Sequence, residues 1–330
     1  MLAPVSAAVG WTYRFAFGLF ERPMLAVQRL TGPQRLAWFF LLPNLIIFGT
    51  FTFLPIVLNF FYATTGSDRV LLSERPYVGF DNFASLLTCQ DYLDPNSCER
   101  DLFWRAMHNT GWFVLAQVVF MVLFSLVTAL ILNRNIPLRG FFRAVFFYPV
   151  LLSPVVVALI WKWILQRFGV LNAALEGAGF SEINWLLEAN WSFFWVVFVS
   201  IWAHMGFYTL ILLAGLQSIP SDVYEAAEMD GASRWRVLRR ITMPLLMPTM
   251  VVVIVLALIR AVQAFDEIFV LTGGGPGSAT LLILQFIYET GFAYTPKIYG
   301  IAAAASILMA AVLLVLTLIQ LRATRSQSEG

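Results

Sequence analysis

His204, Arg260, Gln263, Asp266 and Glu267 stand inside or at the edge of long apolar runs, with Trp202 and Phe207 flanking the histidine. Polar groups are expensive in such surroundings, so they point either to contact with a solute or to pairing that glues helices together. Aromatic faces beside hydrogen-bonding groups suit a polar solute that also carries apolar faces, and His204 and Gln263 are the preferred contacts. The alternatives are specific. His204 can satisfy a backbone carbonyl, Arg260 can pair with Asp266 or Glu267, and Trp202 can simply pack.

Other chemistry lacks its residues. His108 and His204 are the only histidines and form no HExxH pair, so no zinc site and no metal ligand set is expected. Lys162 and Lys297 are the only lysines and neither follows a glycine, which rules out a phosphate-cradling GxxxxGK[ST] loop in this chain. Lys162, with Trp163, is expected to snorkel at the outer interface. There is no GxSxG elbow, hence no catalytic residue is assigned. Cys89 and Cys98 lie in one loop and either pair in an oxidising compartment or remain two thiols.

The elements that must hold these residues follow from composition. With 60% hydrophobic and 12% charged residues in a chain of 330, and a mean hydropathy of +0.78, the apolar surface exceeds what one water-soluble core hides. The expected fold is an all-α polytopic membrane protein. Six apolar stretches are long enough to cross a bilayer: Leu36 to Ala63, Ala106 to Leu132, Phe141 to Leu165, Phe193 to Leu216, Leu245 to Leu271 and Ile298 to Leu321. Pro43, Pro55, Pro149 and Pro154 fall inside them and predict kinks. Residues 1–35 mix Arg14, Arg22, Arg29 and Arg35 with aromatics, which suits a retained interfacial helix. The transmembrane part is expected over 36–322 and a short tail over 323–330.

Lys and Arg set the orientation. With the N-terminus inside, thirteen lie in the inner segments and six in the outer ones, so both termini are expected in the cytoplasm. A net charge of +2 without a basic tract gives no reason to expect nucleic acid. The outer loop 64–105 contains a predicted amphipathic helix over Tyr77 to Leu87. Gly273, Gly274, Gly275, Pro276 and Gly277 predict a turn between the last two spans.

The longest charged segment, residues 217–244, then falls on the cytoplasmic side between the fourth and fifth spans. Ser221 or Asp222 is expected to cap a helix bearing Asp222, Glu225 and Glu228, and Gly231 to stop it. Ser233 is expected to cap a second helix bearing Arg234, Arg236, Arg239 and Arg240, which runs until Pro244. Ala226 and Ala227 would let a partner approach the backbone, while Glu225 and Asp230 offer charge.

The run Tyr224 to Gly231, YEAAEMDG, followed by Ile241, Thr242, Met243 and Pro244, resembles the EAA motif of permease subunits in bacterial ABC importers. Met243 stands where that family commonly has leucine. YVGFDNF (Tyr77 to Phe83), FWRAMHNT (Phe103 to Thr110) and LTGGGP (Leu271 to Pro276) resemble the sugar-type members related to maltose, trehalose and glycerol-phosphate permeases. The N-terminal segment and the cysteine-bearing stretch from Thr88 to Asp101 depart from that pattern.

The resemblance implies a coupling-helix hairpin made by Tyr224, Glu225, Ala226, Ala227, Asp230 and Gly231, seated on a separate ATPase subunit. It implies a substrate cavity among Trp202, His204, Phe207, Arg260, Gln263 and Asp266. Implied partners are a second permease subunit, two ATP-binding-cassette ATPase subunits that bind the ATP and Mg, and an external solute-binding protein; no cofactor belongs to this chain. The expected location is a bacterial inner membrane and the expected cargo a carbohydrate or polyol. A secondary transporter or a non-transporting scaffold for an ATPase are the competing readings.

Overall fold

A backbone inside hydrocarbon must close its own hydrogen bonds, which leaves helices as the solution for long apolar runs. The computed structural model describes Trp38 and residues 41–328, and the interfacial segment expected over 1–35 lies outside the described residues. Among them no strand forms; there are two isolated bridges, Thr65 with Tyr77 and Cys89 with Cys98.

The helices in chain order are α1 (Leu41–Ala63), α2 (Asp81–Leu87), α3 (Asp101–Leu132), α4 (Arg139–Phe147), α5 (Pro154–Ile164), α6 (Val170–Gly177) and α7 (Ala189–Gln217). They continue with α8 (Ser221–Met229), α9 (Arg234–Val262), α10 (Asp266–Thr272), α11 (Ile283–Tyr288) and α12 (Tyr299–Ser328). Five described helices, α1, α3, α7, α9 and α12, are long and apolar enough to cross a membrane.

Two expected spans are not single helices. Phe141 to Leu165 divides into α4, a tight turn at Tyr148–Leu151, and α5, with a bend of 102°. Pro149 and Pro154 remove donors on both sides of the break, so the ladder cannot cross it. Taken as one broken span, this pair brings the number to six. Leu245 to Leu271 likewise divides, because α9 ends at Val262 and α10 begins at Asp266. Gln263 thus sits in the break, not in a span.

Pro244 does not end the second hairpin helix as expected. The ladder widens over Leu238–Thr242, where the Met243 amide donates to the Leu238 carbonyl five residues back. Such a π-turn leaves the donor that proline lacks unneeded at that position. The helix therefore passes through Pro244 without a stop.

α3 and α7 pack along one another, with α9 against both. Phe113, Met121, Leu212, Leu246 and Val253 fill their shared interior. Gly206 lets α7 approach the end of α4 closely, since a Cβ there would lie 2.2 Å from the Phe146 carbonyl oxygen. A second cluster joins α2, the start of α3, α11 and α12 through Leu86, Phe103, Ile283 and Ala304. Many remaining leucines, valines and phenylalanines are exposed, Phe124 and Leu256 among them, as membrane-facing helices require.

Candidate functional site

The hairpin is built by its terminators. Pro220 occupies the N-cap of α8 in extended conformation, and neither Ser221 nor Asp222 caps the helix as expected. Asp222 falls instead in the first turn, where the helix dipole favours it. At the other end Gly231 adopts φ +66°, and two reverse bonds close the helix, Gly231 N–H to the Glu228 carbonyl and Ala232 N–H to the Ala227 carbonyl, both 3.0 Å. Ser233 Oγ accepts from the Arg236 amide at 3.4 Å and starts α9.

Of the predicted hairpin residues, Glu225, Ala226, Asp230 and Gly231 are exposed, while Ala227 is buried. The Tyr224 hydroxyl lies 3.3 Å from Thr242 Oγ1 and ties α8 to the π-turn. Between the hairpin and the end of α3 opens a cleft of about 1110 Å³, lined in part by Arg134, Asn135, Tyr224, Glu228 and Trp235.

At the far end of α9 lies a buried polar network. Arg260 Nη2 donates to His204 Nε2 at 3.0 Å and meets the Glu267 carboxylate at 3.4 and 3.5 Å. Because arginine only donates, His204 Nε2 must accept, so its Nδ1–H donates to the Ser200 carbonyl at 2.8 Å and the imidazole is neutral. Ser200 Oγ donates to Glu267 Oε1 at 3.2 Å and receives Gln117 Nε2 at 3.0 Å. The network links α3, α7, α9 and α10.

Sequence reasoning left Arg260 a choice of partners; the structure pairs it with Glu267, which is 1% exposed, and leaves Asp266 exposed. The register explains this, since only one of two adjacent residues at the start of α10 can face α7. His204 and Arg260 are brought together. Gln263 and Asp266 sit exposed around the break between α9 and α10. Trp202 packs edge-on against Trp161 at 5.5 Å, and Phe207 is exposed beside Tyr208. Gln117 and Ser200 were missed. Their signal was a glutamine alone in the apolar middle of α3 and a serine one turn before His204.

The other recognised stretches anchor loops. In YVGFDNF, Asn82 Nδ2 donates to the Ala63 and Thr65 carbonyls at 2.8 and 3.1 Å, against Gly300, where a Cβ would meet Thr65 oxygen at 2.4 Å. In FWRAMHNT, Trp104 Nε1 holds the Leu86 carbonyl at 2.8 Å, Asn109 holds that of Ser278 at 2.7 Å, and Thr110 Oγ1 receives the Ile283 amide at 2.9 Å. The glycine run is the turn expected, with Gly274 at φ +86° against Gln285. Arg75, in the outer loop 64–105, is buried, binds Thr65, Ser67 and Arg69, and lies over the Tyr62 ring. Burial lowers its pKa from the ordinary arginine value. Cys89 and Cys98 are joined by a disulfide. Lys162 is exposed and donates to the Val270 carbonyl at 3.2 Å.

Residues 121–327, which contain the hairpin and all of the polar network except Gln117, match the family described as Binding-protein-dependent transport system inner membrane component. The chain is 35% identical over 294 residues to the trehalose/maltose transport system permease protein MalF of Thermococcus litoralis, covering 88% of this chain and 94% of that one. Its fold is similar to a chain of a bacterial ABC transporter that imports the acidic polysaccharide alginate, with a TM-score of 0.76 at 27% identity over 91% of this chain and 99% of the other. A second structure of a bacterial alginate ABC transporter, in complex with a periplasmic protein bound to an alginate pentasaccharide, gives a TM-score of 0.73 at 27% identity over 89% and 95%. The match to the family model over most of the chain, and the relative aligned along nearly its whole length, place this multi-pass membrane protein in one group: the chain belongs to the family of binding-protein-dependent transport system inner membrane components.

Proposed function

We propose that the chain is one pore-forming permease subunit of an ATP-driven importer that takes up a carbohydrate or related polyol. Its partners are a second permease subunit, two ATPase subunits that bind ATP and Mg, and an external solute-binding protein. The observation that carries this reading is the continuity of α9. One helix of 29 residues, about 43 Å at the α-helical rise, leads from the exposed hairpin to the polar network without a stop.

In this reading the hairpin and both termini face the cytoplasm, the bent pair α4 and α5 makes the sixth span, and α8 is the coupling helix. Exposed Glu225, Ala226, Asp230 and Gly231 meet the ATPase, while half-buried Tyr224 ties α8 to α9 through Thr242. Nucleotide-driven closure of the ATPase pair displaces α8, and α9 carries the displacement to the break at Gln263. Uptake of saccharides by the relatives supports the cargo class.

The buried network divides the substrate role. His204 and Arg260 already hold one another, so Gln263 and Asp266 are the groups free to meet hydroxyls, with Trp202 walling the cavity. The test is ATP-dependent uptake in proteoliposomes containing the full transporter. Glu225→Lys and Gly231→Pro are expected to abolish uptake while the chain remains in the membrane. Gln263→Ala should weaken uptake with ATPase assembly intact. Normal uptake by a well-expressed Glu225→Lys protein would remove the docking role.

A further inference from the structure

Arg139 and Arg143 lie one turn apart on α4 and so share a face. Both reach the last residue of α7. Gln217 Oε1 accepts from Arg139 Nη2 and Arg143 Nη2, each at 2.9 Å, in the amide orientation that turns oxygen and not nitrogen toward the two donors. One neutral oxygen thus serves two cations.

Each guanidinium also keeps its Nε shielded from water and without a hydrogen-bond partner. Among the described residues neither arginine is within ion-pair distance of a carboxylate. Two like charges gathered on one amide repel each other and present more donors than the protein supplies acceptors. The cluster is short of one electron-rich group.

The setting indicates its source. α4 turns 102° away from α5, and its opposite face, Phe141 and Val145, continued by Tyr148 in the following turn, is exposed and largely apolar. A short helix with arginines on one side and exposed aromatics on the other belongs at the boundary of hydrocarbon and headgroups. Phosphodiesters are concentrated there, and a guanidinium fork matches two phosphate oxygens at once.

We propose that Arg139, Arg143 and Gln217 form a binding site for the phosphate of an anionic phospholipid, seated between α4 and the end of α7 on the hairpin side of the bilayer. The lipid supplies the missing acceptors and neutralises the pair, which fixes α4 against α7.

The purified full-length chain in zwitterionic micelles tests this by titration with dihexanoyl-phosphatidylglycerol, read as a shift in melting temperature. The wild type is expected to be stabilised saturably, and Arg139→Gln/Arg143→Gln to bind about tenfold more weakly or less. Arg134→Gln/Arg322→Gln removes the same charge elsewhere and should match the wild type. If the first variant does not fold, Arg143→Lys keeps the charge but loses the fork and should bind about threefold more weakly. Equal stabilisation by dihexanoyl-phosphatidylcholine, equal affinity in the arginine variants and the wild type, or an equal response to inorganic phosphate alone would each overturn the lipid site.

Discussion

Glu267→Gln separates a structural pair from a substrate contact. The Glu267 side chain is 2% exposed and its partner Arg260 30% exposed, with their closest approach at 3.4 Å. Removing one partner of a buried ion pair costs about 3–5 kcal/mol, because the other charge is left uncompensated. Here the pair is long, Arg260 is partly solvated, and His204 Nε2 still accepts from it at 3.0 Å, so the expected loss falls to about 2 kcal/mol. Arg260→Met alone strands Glu267 with only Ser200 as donor and should cost at least as much. The double variant Glu267→Gln/Arg260→Met leaves no unpaired charge, so its cost should fall short of the two singles combined by about 1.5–2 kcal/mol. Unfolding in mixed SDS micelles, followed by tryptophan fluorescence, measures all three. A coupling below about 0.5 kcal/mol would refute the pair as a structural tie. Asp266→Asn is the internal contrast, since an exposed carboxylate should shift stability by less than about 0.5 kcal/mol while altering uptake.

Three further outcomes are expected. Gly206→Val should destabilise the bundle by about 1–3 kcal/mol or more, because the added carbon meets the Phe146 carbonyl, and the fraction of folded protein in detergent extracts reads it. Cys89→Ser/Cys98→Ser frees a loop of sequence separation 9, for which chain entropy gives about 2.5–3 kcal/mol, and limited proteolysis should cut between these positions in the variant but not in the wild type. The hydrogen bond from Arg167 holds the Glu182 carboxyl below its ordinary value of 4.5; that support is present above 4.5 and lost as pH falls through the lower folded value, so Arg167→Ala should remove an acid-side loosening of this loop seen by hydrogen exchange.

The stretches most legible in the sequence were those where one residue type has few conformational options. Gly231 needed a positive φ, Ser233 offered the only hydroxyl before a basic turn, and the apolar runs of α3, α7 and α12 had no other way to close their backbones. The misread points were choices among near-equivalents that only packing decides. Pro220 displaced Ser221 and Asp222 from the cap, a π-turn carried the helix past Pro244, and the pitch of α10 chose Glu267 over Asp266 for Arg260. The polar network was half legible because its members lie on four helices, and Gln117 and Ser200 look ordinary until those helices meet. Arg75 was hidden for the same reason. Its burial depends on turns at Thr65 and Arg69 that no local pattern announces.

The π-turn before Pro244 and the break at Gln263 have one mechanical consequence. Had the second hairpin helix ended at Pro244 and the fifth span run to Leu271, a push on the hairpin would have bent a joint near the membrane surface and moved the span as a rod. The chain does the reverse. The joint at Pro244 is closed by the π-turn and by Tyr224 holding Thr242, and the discontinuity is moved to Gln263, Ala264 and Phe265. In the proposed mechanism the displacement of α8 is therefore spent at that break, where Arg260 on one side is tied to Glu267 on the other. In that mechanism the ion pair would set whether α10 follows α9 or lags behind it, with Gln263 and Asp266 on the segment concerned. The placement of a costly buried charge pair across a three-residue gap thus has a reason that pairing for stability alone does not supply.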